Sequence, residues 1–220
     1  MSGRGQEPGA GSAEARGRRR GASGDKRERI LSAAIRVFAQ NGFYSTRVSE
    51  IANAAGVADG TIYLYFENKD HVLISIFEDR IGKLIEVMKR TVAEATDPRE
   101  QLRRVIALQL GQVEENRDLA EVVTVNLRQS STLLKQYATP LFVKYLEVIA
   151  GVIAAGQKQG VFRADLSPRI AARALYGGVD GIMLTWALGE PEPKALRKAA
   201  QHFTTLFLRG LSPEGGPDAG

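Results

Sequence analysis

Small and hydrogen-bonding residues are concentrated in one short segment, residues 48–69, with the sequence VSEIANAAGVADGTIYLYFENK. The hydroxyl groups of Thr61 and Tyr63 can donate hydrogen bonds to phosphates or base edges, and the Thr61 methyl group can contact a thymine methyl. Gly60 removes a side chain where the backbone would have to approach a ligand closely. A short helix with such a polar front fits the major groove of DNA. The predicted chemistry is therefore the recognition of duplex DNA.

Two short helices that meet at a glycine would hold these residues in place. Gly56 lies where helices crossing near a right angle need a residue without Cβ strain. The apolar contacts of such a small pair come from Ile51, Ala52, Ala55, Val57 and Ile62. Lys69 opens the next helix and adds a cation to a helix N-terminus that already favours phosphate. The segment thus predicts a helix-turn-helix.

The rest of the chain also has helical patterns. Residues 25–41 carry a one-sided apolar stripe that ends at Gly42, and Asn68 caps a long following helix. Two pairs of residues, Asp97-Pro98 and Ser167-Pro168, signal the starts of further helices. Pro191 and Pro193 precede a last helix, which is predicted to end before Gly210. No segment alternates with period two, so a sheet is not expected.

The predicted fold class is all-α, with a three-helix helix-turn-helix head and a larger C-terminal helical body for effector binding and dimerisation. The head is predicted at residues 25–70 and the body at residues 71–209. The long helix that begins near Asn68 joins the two. Pro140 interrupts a helix predicted for residues 131–159 and should kink or split it.

Both termini are predicted to be disordered. Residues 1–24 have a Gly, Ser and Ala background in which the charged residues are Arg4, Arg16, Arg18, Arg19, Arg20, Glu7 and Glu14. Two interpretations of this basic arm remain open: it follows DNA phosphates or enters a minor groove, or it is a solvated leader with no role. Residues 210–220 are rich in Gly and Pro.

Composition excludes several classes of protein. The chain has no cysteine, which excludes disulfides and thiolate metal sites and permits a cytoplasmic location, the one we predict. No apolar run follows the N-terminal arginines, so a signal peptide is not expected. The longest apolar stretch, residues 148–155, is too short to cross a bilayer, and no membrane partner is expected. The net charge of +5 indicates a polyanion partner only weakly.

No catalytic constellation is visible, and we predict no enzyme activity, metal or cofactor. His71 and His202 are far apart, and neither has a carboxylate or cysteine at ligand spacing. A phosphate loop, a nucleophile elbow and a dinucleotide fingerprint are all missing from the sequence.

Residues 30–86 resemble the N-terminal domain of TetR-type repressors, above all in GVADGTIYLYFENKDHVLISIF (residues 56–77). The motif Gly-x-x-x-Gly-Thr-Ile-Tyr-x-Tyr-Phe-x-x-Lys joins the turn, the reading helix and the start of the next helix in fixed register. Leu127-Arg128-Gln129-Ser130, Gly160-Val161-Phe162 and Thr185-Trp186 resemble the FadR-like branch. Members of that branch repress fatty-acid degradation and release DNA on binding long-chain acyl-CoA.

The resemblance implies further DNA contacts from Arg47 and Ser49, at the start of the helix before the turn. It also places Tyr65 towards DNA, although packing beside a core Phe66 is equally open. The predicted DNA-binding residues are Arg47, Ser49, Gly60, Thr61, Tyr63, Tyr65 and Lys69. A homodimer on a palindromic operator is expected, because two-fold protein symmetry matches two half-sites.

An acyl-CoA effector, implied by the resemblance, needs an apolar tunnel with cations at its mouth. The candidate residues are Arg104, Leu108, Val122, Asn126, Arg128, Gln129, Phe142, Leu146, Arg173 and Met183, with Lys144 and Ile149 as further candidates. Each cation alone could equally lie on a solvated face. The alternative function is a TetR-type repressor of multidrug efflux or another pathway, with a different apolar effector.

The dimer interface is predicted on the last two long helices. Gly177 and Gly181 share one helix face where a partner helix could approach, and Phe203 and Phe207 belong to an apolar stripe on the final helix. The alternative is a loosened helix that accommodates Trp186 or a ligand.

Overall fold

A computed structural model describes residues 10–126, 139–189 and 194–213, with side chains for residues 24–125, 140–189 and 194–213. Within those ranges the chain forms helices and no strands, which confirms the all-α class. The helices are α1 Ala10–Asn41, α2 Val48–Ala55, α3 Asp59–Ile62, α4 Lys69–Ala93, α5 Pro98–Glu115, α6 Arg117–Glu121, α7 Thr139–Lys158, α8 Pro168–Leu188 and α9 Ala195–Leu211. A π-helical turn, Val122–Asn126, continues α6.

The head is built from α1 to α3 and the first half of α4 around one apolar core. Phe38, Ile51, Ile62 and Phe66 are fully buried in it. Gly56 ends α2 with φ 65° and ψ 42°, a left-handed conformation that glycine adopts without Cβ strain. The predicted turn is therefore confirmed at this residue.

Helix α4 belongs to both halves of the molecule, as predicted. The side chain of Asn68 accepts a hydrogen bond from the His71 backbone N–H at 2.8 Å and so caps its first turn. Val72 and Ile76 lie in the head core, whereas Ile85 and Met88 lie in the body core. A tilt of α4 would therefore move the head relative to the body.

In the body, α5 and α7 pack against the second half of α4, and α8 and α9 pack against α5. Both cap-and-proline signals are confirmed: Asp97 accepts from the Arg99 N–H at 3.0 Å, and Ser167 from the Ile170 N–H at 3.5 Å. Pro140 lies in the first turn of α7, where a missing N–H costs little, and does not kink it. The upstream part of the predicted helix, residues 131–138, lies outside the described residues.

Helix α7 over Pro140–Lys158 is long and apolar enough to span a membrane by composition. Its apolar face is instead used in the body, where Tyr145, Ile149 and Ile153 are buried against α4, α5 and α8. That packing is typical of a core helix in a globular domain.

The prediction of a disordered arm through residue 24 is wrong from Ala10 onward, because α1 begins there. Extending an existing helix adds one hydrogen bond per residue without a new nucleation cost. Residues 1–9 lie outside the described residues. At the other end α9 continues through Gly210 to Leu211, and residues 214–220 lie outside the description.

Candidate DNA-binding surface and effector-binding body

The α2–α3 pair presents a short reading element on a buried anchor. Ile62 is 1% exposed and fixes α3 to the head core. The helical turn continues beyond α3, since the Leu64 N–H donates to Thr61 O at 3.2 Å and the Tyr65 N–H to Ile62 O at 3.0 Å. Ile62 and Phe66 therefore face inward, and Tyr63 and Leu64 between them lie at the surface.

The predicted reading residues are accessible. Tyr63 is 58% exposed, Thr61 is half-buried and Gly60 is exposed. A Cβ built on Gly60 meets no atom within 4 Å, and its φ is not in the left-handed region. Neither packing nor backbone strain within the described chain explains a glycine there. The close approach of DNA to this backbone therefore stays a prediction.

At the start of α2, Arg47 is exposed and Ser49 is half-buried. The Arg47 backbone N–H donates to Glu50 Oε2 at 2.6 Å, which fixes the first turn of the helix. Both side chains thus stand at a surface helix N-terminus, and their phosphate contacts remain predictions.

Lys69 has a different role from the predicted one. Its ammonium group donates to the carbonyl oxygens of Phe43 at 2.7 Å, Tyr44 at 3.0 Å and Thr46 at 2.8 Å. It also lies 4.7 Å from the centroid of the Phe43 ring. An ammonium has three donors, so none is left for a phosphate, and the predicted phosphate contact is wrong in this structure. Lys69 instead ties the loop between α1 and α2 to α4.

The structure supports packing for the Tyr65 ring. It is half-buried against the head core, with its ring centroid 6.3 Å from that of Phe66, and Phe66 is 1% exposed, as predicted for a core residue. His71 has a local role: its Nδ1 accepts from the Glu67 N–H at 3.1 Å.

Two exposed residues of the head were not predicted from the sequence. Leu64 is 80% exposed and Tyr44 is 67% exposed. For Leu64 a signal was available: with Ile62 and Phe66 buried four residues apart on a helical turn, position 64, midway between them, lies on the opposite side and faces outward.

In the body, three predicted effector residues lie in other places than expected. Val122 is 1% exposed and belongs to the head core, where the π-helical turn meets α1. Arg104 is on the surface of α5, where its Nε donates to Glu100 at 2.8 Å, and Arg173 is exposed on α8. For the two arginines the solvated-face alternative holds.

The other effector candidates divide into two groups. Leu108, Leu146 and Met183 are half-buried against the body core, and the Phe142 ring packs edge-on against Tyr176 with centroids 4.6 Å apart. The Asn126 side chain lies outside the description, as do Arg128 and Gln129.

A buried polar pair accompanies these aromatic rings. The Tyr145 hydroxyl donates to Gln109 Oε1 at 2.5 Å, and the two residues are 4% and 5% exposed. Burial is the largest cause that raises the pKa of Tyr145, so its hydroxyl stays a neutral donor. Sequence patterns did not single out this pair, because its partners are 36 residues apart on different helices.

The predicted dimer face is apolar and open. Ile170 is 61% exposed and Leu206 is 71% exposed. Both line a groove of about 320 Å³ between α8 and α9, with Leu166, Ala174, Phe203 and Phe207 among its other walls. An open apolar surface of this kind is typical of an interaction site.

The glycines of α8 have separate roles. An added Cβ on Gly178 would come within 2.4 Å of the Phe203 ring, so Gly178 allows α8 and α9 to pack closely within one chain. Gly177 and Gly181 are exposed and have no atom within 4 Å of an added Cβ. The alternative that these two accommodate Trp186 is therefore wrong.

Two protein-family models match this chain, one over the head and the other over the body. The family model for bacterial regulatory proteins of the tetR family matches residues 30–76, and the model for the C-terminal region of YsiA-like proteins matches residues 77–210. A fatty acid metabolism regulator protein of Bacillus subtilis (strain 168) is 37% identical over 161 residues, which cover 73% of this chain and 83% of that protein.

Two solved structures are also similar over most of the chain. One is the transcriptional regulator FadR from Bacillus subtilis in complex with stearoyl-CoA, with a TM-score of 0.79 and 34% identity. The other is the fatty acid degradation regulator FadR from Bacillus halodurans, with a TM-score of 0.78 and 34% identity. In both cases the match covers 84% of this chain and 98% of the other.

Proposed function

Because the chain belongs to the TetR family of transcriptional regulators, we propose that it is a cytoplasmic homodimeric repressor of fatty-acid degradation genes, released from a palindromic operator by long-chain acyl-CoA. The observation that carries the proposal is the likeness, over 84% of the chain, to a regulator in complex with stearoyl-CoA. The accessible surface of α3 supports the DNA-binding half of the proposal.

The exposed side of α3 enters the major groove of the operator. Thr61 and Tyr63 contact base edges or phosphates, and Gly60 lets the backbone come close to the DNA. Arg47 and Ser49, at the N-terminus of α2, contact the phosphate backbone on the way in. Two heads in a dimer reach half-sites about 34–36 Å apart, one turn of the duplex.

The dimer forms through α8 and α9. Ile170 and Leu206 are too exposed to be part of the body core, and burying apolar area contributes about 25 cal/mol per Å². Gly177 and Gly181 leave room for a partner helix to approach the backbone of α8. A face of this kind pairs with its own copy across a two-fold axis.

Acyl-CoA acts by favouring one arrangement of head and body over another. Two features of the described chain couple the halves: α4 contributes to both cores, and Val122 of the π-helical turn is buried in the head core. A change in the body that shifts either one changes the distance between the two heads of a dimer. A coupling free energy of about 1–3 kcal/mol weakens DNA binding 5- to 150-fold.

The test starts with a duplex selected from a random-sequence pool by the full chain. Its binding is followed by fluorescence anisotropy while stearoyl-CoA or palmitoyl-CoA is added, with free CoA and palmitate as matched controls. We expect the acyl-CoA esters to release the DNA and the controls to leave it bound. Enrichment of no duplex would refute DNA binding, and a complex unaffected by acyl-CoA would refute the effector while leaving the regulator intact.

A further inference from the structure

Leu64 follows α3 and is surrounded in sequence by the predicted DNA-binding residues. It is 80% exposed, the largest exposed fraction among the large apolar side chains of the described residues. A single exposed leucine is common on protein surfaces, so exposure alone indicates no function. The informative feature is the position of Leu64 relative to its neighbours in residues 58–66, which we call the α3 segment.

The helical turn places Leu64 at the centre of the outward side of the α3 segment. Its N–H donates to Thr61 O at 3.2 Å, so the turn is continuous through residue 64. At 3.6 residues per turn, Leu64 and Gly60 each lie within about 20° of the direction opposite the buried Ile62. Thr61 and Tyr63 lie on the two flanks of that direction. Leu64 therefore projects between two hydroxyl residues, next to a residue without a side chain.

The α3 segment lacks the side chains that most often read bases through paired hydrogen bonds. It contains no Arg or Lys, which pair with guanine, and no Asn or Gln, which pair with adenine. Asp59 could accept from a cytosine amino group, but in the helical register it lies only about 60° from the buried Ile62. Base readout by the centre of this side therefore has to use hydroxyl or apolar groups.

The major groove presents one apolar group to such a surface, the C5 methyl group of thymine. A leucine side chain can bury itself against that methyl group and remove apolar area of both from water. Against the edge of a purine it would instead cover hydrogen-bonding groups and offer none in return, which costs free energy. The chemistry of Leu64 thus favours thymine over the other bases.

We propose that Leu64 is a specificity-determining residue that contacts the C5 methyl group of one thymine in each operator half-site. The inference rests on the DNA binding proposed above and names the base feature that the centre of the α3 segment reads. Each half-site then contains a thymine facing Leu64, and Thr61 and Tyr63 supply hydrogen bonds on either side of it.

The test removes the thymine methyl groups one position at a time. In the selected duplex, each thymine is replaced by deoxyuridine, symmetrically in both half-sites, which deletes the methyl group and keeps the base pair. The affinity of each duplex is measured by fluorescence anisotropy for the wild-type full chain, L64A and L188A. Leu188 is the matched control because it is 69% exposed at the end of α8, in the body. T61S is measured as well, since it removes the other methyl group on this side of α3 and keeps the hydroxyl.

We expect deoxyuridine at one position of the half-sites to weaken wild-type binding about fourfold per half-site, or roughly 14-fold for both, the effect of losing one buried methyl group. L64A should bind the thymine and deoxyuridine duplexes equally well at that position. L188A and T61S should show the same loss there as the wild type. Circular dichroism should be the same for L64A as for the wild type, because the replaced side chain is exposed.

A methyl dependence that L64A retains at every position would overturn the proposal, and one lost in T61S but not in L64A would identify Thr61 as the reader. A wild-type chain indifferent to deoxyuridine throughout, or selected half-sites without thymine, would overturn it too. A failure of the proposed function is seen separately, as the absence of any duplex enriched by the wild-type chain. Stearoyl-CoA should release L64A from DNA as it releases the wild type, since Leu64 is not part of the body.

Discussion

Replacing Gly60 by alanine separates folding from DNA binding. The structure leaves open space around an added Cβ, and the backbone of Gly60 is not left-handed. Alanine is up to about 1 kcal/mol more favourable than glycine in a helix interior. Because α3 is only 4 residues long and position 60 is near its start, we expect G60A to stabilise the head by about 0.5 kcal/mol.

The same methyl group would stand between α3 and the DNA. We expect G60A to bind the selected duplex at least tenfold more weakly, a loss of about 1.4 kcal/mol. The two effects have opposite signs, so destabilisation of the fold cannot produce the loss of affinity. Urea unfolding measures the first effect, and anisotropy with labelled duplex measures the second.

Gly151 provides the matched control. It is exposed in the middle of α7, and an added Cβ again meets no atom within 4 Å. G151A should stabilise the body by about 1 kcal/mol and leave DNA affinity unchanged. If G60A binds DNA as tightly as the wild type, the glycine is not at the DNA surface. If G60A unfolds more easily, an internal constraint explains the glycine.

Three further substitutions test other parts of the account. K69M should destabilise the head by about 2–3 kcal/mol, since three carbonyl oxygens lose a charged donor. It should leave the slope of log DNA affinity against log salt unchanged. A slope lower by about 0.9 in K69M but not in the exposed-site control K89M would show that Lys69 contacts a phosphate. L206E should yield monomers in analytical ultracentrifugation that keep the helical circular dichroism of the wild type; a persistent dimer would place the interface elsewhere. Y145F should cost about 1–3 kcal/mol in urea unfolding, because the buried Gln109 carbonyl loses its donor; an unchanged stability would mean that water satisfies it.

Local signals in the sequence predicted local structure well. Asn68, Asp97 and Ser167 cap the helices that they were expected to cap, because a side-chain oxygen and the first backbone N–H groups interact within three residues. Gly56 likewise adopts the left-handed conformation that its turn requires. Each of these features is determined by a few neighbouring residues, so a single sequence is sufficient to predict them.

Features that depend on distant partners were predicted less well. The acceptors of Lys69 lie 23 to 26 residues away, so its position at a helix start indicated a phosphate contact that the folded chain prevents. Among the clustered glycines of α8, only packing against α9 shows that Gly178 contacts Phe203. Val122 belongs to the head core for a similar reason, since α1 and the π-helical turn meet only in the fold.

Hydrogen–deuterium exchange of the full chain, with and without the selected duplex, tests the central claim most directly. We expect DNA to slow the exchange of backbone amides in residues 58–65 and stearoyl-CoA to restore the faster exchange. Residues 58–65 exchanging at the same rate in the DNA complex as in the free protein would contradict it.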